Sequence, residues 1–189
     1  MSLFVERAWF AEPNAPLATL EDEVVAERLA RGTAPETRKP ELVVVLGPPA
    51  SGKTPLRRAR YPEHVPLDLG ELYATVTDGG RSIPENAGDL VFAAAGELAR
   101  RAFGQRRDLV VEVVGGGETK ALVEEVTELA EELGYRPRTV SVEGPPDPRR
   151  PPEGDGSSFE VSAVHTELDH LRLLRRELRR RRAFRGAPD

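Results

Sequence analysis

Apolar positions follow two different rhythms along this chain, and the alternation between them predicts its elements. Residues 16–31, PLATLEDEVVAERLAR, set Leu20, Val24, Leu29 and Ala30 near helical spacing and predict an amphipathic helix. The connector GTAPETRKPE has turn formers and no apolar period. LVVVLG at 42–47 is a continuous β-branched run closed by glycine, the pattern of a strand buried on both faces of a parallel sheet. A helix is expected from Gly52 to about Arg60, and a short strand in HVPLDLG ends near Asp68. Residues 85–103 read as a helix with Leu90, Ala94, Leu98 and Ala102 on one face. DLVVEVV at 108–114 is another buried strand, ETKALVEEVTELAEELG at 118–134 an amphipathic helix closed by Gly134, and RPRTVSVEG a fourth strand. GPPDPRRPPEGDGSS at 144–158 carries too much proline and glycine for a regular element and reads as a loop. From about 160 to 185 a long helix sets Val164, Leu168, Leu171, Leu174 and Leu178 along one side.

Strands alternating with helices predict a parallel sheet covered on both faces. With 189 residues the chain is long enough for one core without covalent staples, and the expectation is a single domain over 1–189, its core at about 36–143. Cysteine is absent, which excludes disulfides, thiol catalysis and zinc–thiolate sites. A net charge of −5 carries no overall nucleic-acid signature, and no apolar run approaches the roughly 18–20 residues that span a bilayer. The first residues, MSLFVERAWFAEPN, lack the basic start, apolar core and small-residue cleavage site of a secretory leader, so the expected location is the cytoplasm, away from membranes.

The chemistry is concentrated in GPPASGKT, residues 47–54, which satisfies G-x-x-x-x-G-K-[ST] between a predicted strand and a predicted helix, as that motif requires. Successive backbone N–H groups across Gly47, Ala50, Ser51 and Gly52 would form a nest for phosphate oxygens, reinforced by the helix N-terminus. Lys53 would neutralise the β- and γ-phosphates of ATP or GTP, and the Thr54 hydroxyl would hold Mg²⁺. Pro55 lies in the first helical turn, where its ring is tolerated, but it removes one N–H that would otherwise face a phosphate.

Over residues 20 to 143 the chain resembles the zeta-toxin-like P-loop kinases, related to chloramphenicol phosphotransferase-type small-molecule kinases. The matching features run in order: a helix and polar connector before the first strand (VAERLARGTAPETRKPELVVVLG), the loop GPPASGKT, a second strand ending in an acid (VPLDLGELY), a third strand with a glutamate followed by a long helix (LVVEVVGGGETKALVEEVTELAEELGY), and a fourth strand. The resemblance implies an α/β, P-loop NTPase three-layer sandwich with a mostly parallel sheet, an N-terminal helix, a C-terminal basic helix and a reduced lid. It also implies transfer of a γ-phosphate from ATP or GTP, with Mg²⁺, to a small-molecule hydroxyl such as that of a nucleotide sugar. An antitoxin partner is a further implication.

Within this resemblance Asp68 matches the acid at the carboxyl end of the second strand and is the candidate base, with Glu71 as a substitute; its other reading is an N-cap on LGELYATV. Glu112 matches the strand glutamate that holds substrate or metal, against a solvent-facing strand-edge residue. The family places a second aspartate two positions after the first, where this chain has Gly70. The helical lid that would carry arginines to the γ-phosphate is replaced by the proline-rich loop, whose bases are Arg149 and Arg150; they read as a shortened lid or as linker charges. The tail RLLRRELRRRRAFR is either a docking surface for an acidic partner or a solvated face pairing with the acidic helix 118–134. His165 and His170, five apart, do not share a metal-binding face. Two rivals remain at this level: a catalytically weak nucleotide-binding regulatory or scaffold protein, and a nucleic-acid-end kinase guided by the tail.

Overall fold

The computed structural model describes residues 17–76, 87–114, 117–143 and 158–185. The described elements are α1 (Leu17–Ala30), β1 (Glu41–Leu46), α2 (Lys53–Arg60), β2 (Val65–Leu67), α3 (Leu69–Val76), α4 (Ala87–Gly104), β3 (Leu109–Val113), α5 (Gly117–Glu132), β4 (Arg136–Ser141) and α6 (Ser158–Arg185). The four strands form one sheet in the order β2-β3-β1-β4, and every pairing is parallel. The apolar strands expected from the sequence are the central pair, with Val43 opposite Val110 and Val45 opposite Glu112.

Side chains alternate across the sheet, so the two faces of β1 feed different clusters. Leu42 and Val44 join the large core formed with α1, α3, α4, α5 and α6, in which Leu98, Leu171, Leu174 and Leu178 are fully buried. Val43 and Val45 face the other way, onto a small cluster closed by Tyr61 and Leu56 of the α2 region. α2 therefore covers one face and the remaining helices the other. Helices leaving the adjacent strands β1 and β3 lie on opposite faces, which opens a crevice at the carboxyl ends of those strands, the position where such sheets bind ligands.

Several expectations are refined. The α1 stripe is Val24, Val25, Arg28 and Leu29, while Ala30 is exposed. The helix over LGELYATV, read from the sequence as the alternative for Asp68, is present as α3 and follows Asp68 directly. Gly134 at φ 80° ends α5 with Tyr135 N–H donating to Ala130 O and Gly134 N–H to Glu131 O. The arginine-rich tail packs beside α5: Arg175 and Arg179 share Glu125, and Arg182 pairs with Glu132, so the intramolecular reading of that charge run holds for these residues. The proline-rich segment to residue 157, with Arg149, Arg150 and the reduced lid, lies outside the described residues.

Candidate phosphate-binding site

The loop after β1 has the conformation its glycines predict. Gly52 sits at φ 90° as N-cap of α2, where a Cβ would meet no atom within 4 Å but the backbone angle itself excludes most side chains. Ala50 is also left-handed, at φ 58°. Gly47 is constrained by space: a Cβ there would come within 2.6 Å of Ser51 Oγ and 2.7 Å of Val142 O. A tight turn, Ser51 N–H donating to Pro48 O, lifts the loop over the start of α2.

Lys53 is buried, and its ammonium donates to the carbonyls of Gly47 and Pro48 at 2.9 Å each, which holds the charge inside the loop. Thr54, next along α2, donates its hydroxyl to Glu112 Oε2 at 2.7 Å. Glu112 is therefore buried and paired, and the solvent-facing alternative is excluded. Its other oxygen, Oε1, accepts from Arg57 Nε at 2.5 Å.

Arg57 is the residue the sequence reading passed over. It stands four positions after Lys53, on the same side of α2, and is 5% exposed. Besides Glu112 its guanidinium reaches Asp68 Oδ2 at 3.2 Å and Glu71 Oε1 at 2.6 Å. One buried arginine thus gathers three carboxylates from β3, the end of β2 and α3. The lysine-to-arginine spacing was the available signal, since residues four apart share a helix face.

Of the two readings the sequence left for Asp68, the structure shows the helix cap. Its Oδ1 accepts from Glu71 N–H at 3.0 Å, which caps α3, while Oδ2 faces Arg57. Glu71 differs. Burial pushes its pKa up, but hydrogen bonds from Arg58 and Arg57 and the nearby charges of Arg57 and Arg28 outweigh burial and hold it at about 2. A carboxylate held so strongly in its charged form is a poor proton acceptor.

α6 also reaches this region. His170 Nε2 accepts from Leu69 N–H, the residue after Asp68, at 2.6 Å, so the imidazole is neutral and carries its proton on Nδ1. Burial lowers its pKa to about 4 against the opposing pull of Asp68 and Asp169. No group of three or more metal-ligating side chains occurs among the described residues.

The donor set fits Mg²⁺ and a nucleotide triphosphate. A hydroxyl and a carboxylate stand together beside a buried ammonium, and the Ser51 hydroxyl is buried at the loop without a hydrogen-bond partner. Fold and loop together define a P-loop NTPase-like α/β sandwich. No protein-family model and no curated protein matches the chain. Among solved structures it is similar to one from the characterisation of the PezAT chromosomal toxin–antitoxin system of the human pathogen Streptococcus pneumoniae, with a TM-score of 0.51 and 14% identity. That match covers 70% of this chain and 58% of the other, so this chain spans less than two thirds of its neighbour's length, and the likeness is one of fold. Among the described residues no helix is long and apolar enough to cross a membrane.

Proposed function

We propose that this chain is a P-loop phosphotransferase of the zeta-toxin-like type, moving the γ-phosphate of ATP or GTP to the hydroxyl of a small molecule, with a nucleotide sugar as one candidate acceptor. The observation that carries the reading is the Thr54–Glu112 hydrogen bond of 2.7 Å directly behind a loop that encloses the Lys53 ammonium. Likeness of fold to a toxin–antitoxin structure supports the same reading and makes an antitoxin a candidate partner.

Each residue has a defined part in this proposal. The backbone of Gly47 to Gly52 and the start of α2 bind phosphate oxygens, and Lys53 neutralises them. Thr54 and Glu112 would hold Mg²⁺, which when bound offsets negative charge on the phosphates. Asp68, at the carboxyl end of β2, orients the acceptor hydroxyl and takes its proton at a carboxylate oxygen. Arg57 positions Asp68 and Glu112 relative to each other. Arg149 and Arg150 are the candidate lid arginines.

A second reading, a nucleotide-binding regulator with little turnover, is favoured by the same guanidinium. Arg57 already engages the two carboxylates that the reaction would use, and Gly70 supplies no further acid. Measuring ADP release with and without candidate acceptors decides between them. The kinase reading predicts acceptor-dependent release from the native chain that is lost in Lys53→Ala. Nucleotide binding without acceptor-dependent release would contradict it and support the regulator.

A further inference from the structure

On the other side of Arg57 from the phosphate loop lies a second concavity, about 470 Å³ in volume, between the end of α1, the outer side of α2 and the edge strand β2. Its lining includes Arg28, Arg31, Arg57 and Arg58, with His64 toward the β2 side and Glu71 as the carboxylate among them. Within the lining itself four guanidinium groups meet one carboxylate, their other acidic partners, Asp68, Glu112 and Glu27, lying outside it. Glu71 accepts from Arg28 through Oε2 and from both Arg57 and Arg58 through Oε1. Arg57 has Asp68 and Glu112 besides, which leaves one carboxylate for Arg28 and Arg58 together. Arg31 adds a further cation whose partner, Glu27, is half exposed.

Arg28 itself leaves one donor unmet. The residue is 4% exposed and spends its terminal nitrogens on Glu71 and Thr75, yet its Nε–H is buried with no acceptor. Leaving a charged buried donor unpaired is unfavourable. Both ring nitrogens of His64 on the same wall are also buried without a hydrogen bond; Nε2 lies 3.4 Å from Glu41 Oε2, a carboxylate already paired with Arg136. Burial keeps His64 neutral by lowering its pKa, so it adds no charge to this wall.

We propose that this concavity is a second anion site, distinct from the phosphate loop, that takes a phosphate or diphosphate group through Arg28, Arg31 and Arg58. Planar guanidinium forks match phosphate oxygens in pairs, and several converging on one volume is the arrangement that recognises them. Arg57 is the common wall of the two sites, since its Nε holds Glu112 on one side and its terminal nitrogen holds Glu71 on the other. An anion that draws Arg28 and Arg58 from Glu71 therefore acts on the same guanidinium that positions Asp68 and Glu112.

The test uses full-length chain carrying Lys53→Ala, which weakens the first site. It is titrated calorimetrically with inorganic phosphate, pyrophosphate and glucose 6-phosphate, with and without Arg31→Ala or Arg58→Ala. Arg31 and Arg58 are exposed enough to change without unfolding the chain, unlike Arg28. The expected result is binding of at least one of these anions that persists in Lys53→Ala and weakens about tenfold with each arginine change, together with movement of the His64 ring signals by NMR. Tighter binding of pyrophosphate than of the sugar phosphate would assign the site to a free inorganic ion, and the reverse order to an organic phosphate. Absence of binding by all three below about 10 mM, or binding indifferent to Arg31 and Arg58, overturns the proposal.

Discussion

At the scale of single residues the site is organised by how buried charges are paired. Isolated ions are costly to bury, and Lys53, Arg57 and Glu112 are tolerated inside because each meets carbonyls or an opposite charge at hydrogen-bond distance. Glu112 could be singled out from the sequence because a carboxylate within LVVEVV demands a partner. The partner could not be named, since Arg57 lies 55 positions away and sits in a run, TPLRRAR, that reads as an ordinary basic helix end. Pro55 belongs to the same scale. It is the third residue of α2, and the first helical hydrogen bond there is Leu56 N–H to Gly52 O, so the ring displaces no bond within the helix. In the proposed nucleotide site, what it removes is a donor toward the phosphate. Pro55→Ser is expected to tighten nucleotide binding by about tenfold and at most about a hundredfold, since one charge-assisted hydrogen bond is worth about 1.5–3 kcal/mol. Calorimetry on the two chains checks this, and an unchanged or weaker dissociation constant contradicts it.

At the scale of elements, strands and long helices were legible because their apolar periods are strong, and their boundaries fall within a few residues of expectation. α3 was legible only as an alternative, for a local reason: LGELYATV is short, carries a glycine at its second position, and takes its helical form under the Asp68 cap and the His170 acceptor. The latter contact spans 101 positions, which a local pattern cannot contain. It makes α6 a brace for the Asp68 segment and ties stability to pH. The unfolded chain protonates a histidine near pH 6.5, whereas folded His170 takes up a proton only near 4. Its contribution is therefore complete above about pH 6.5 and is lost as pH falls toward 4, an effect on the order of 2 kcal/mol at pH 4.5. His170→Gln retains an acceptor for Leu69 N–H without the titrating group. Denaturant unfolding at pH 7 and 4.5 should show the native chain losing more stability than His170→Gln, and equal losses would remove His170 as the cause.

At the scale of the whole molecule, the two faces of the sheet are covered unequally. Five helices pack on one side, while among the described residues α2 and its flanks close the other. That arrangement places the phosphate loop, the β3 glutamate and the β2 aspartate around one crevice, and the order of strands and helices in the sequence was sufficient to anticipate it. The side-chain network was not, because it depends on which long arginines cross between elements. The proposed phosphotransfer requires Lys53, Thr54 and Glu112 to form a Mg²⁺-nucleotide site. Calorimetric titration with non-hydrolysable ATP and GTP analogues, with and without Mg²⁺, tests it most directly. The predicted result is binding strengthened by Mg²⁺ in the native chain, with the Mg²⁺ dependence lost in Thr54→Ala and binding itself weakened at least about tenfold in Lys53→Ala. Nucleotide binding equally tight in native chain and Lys53→Ala, or no binding at all to the native chain, would contradict it.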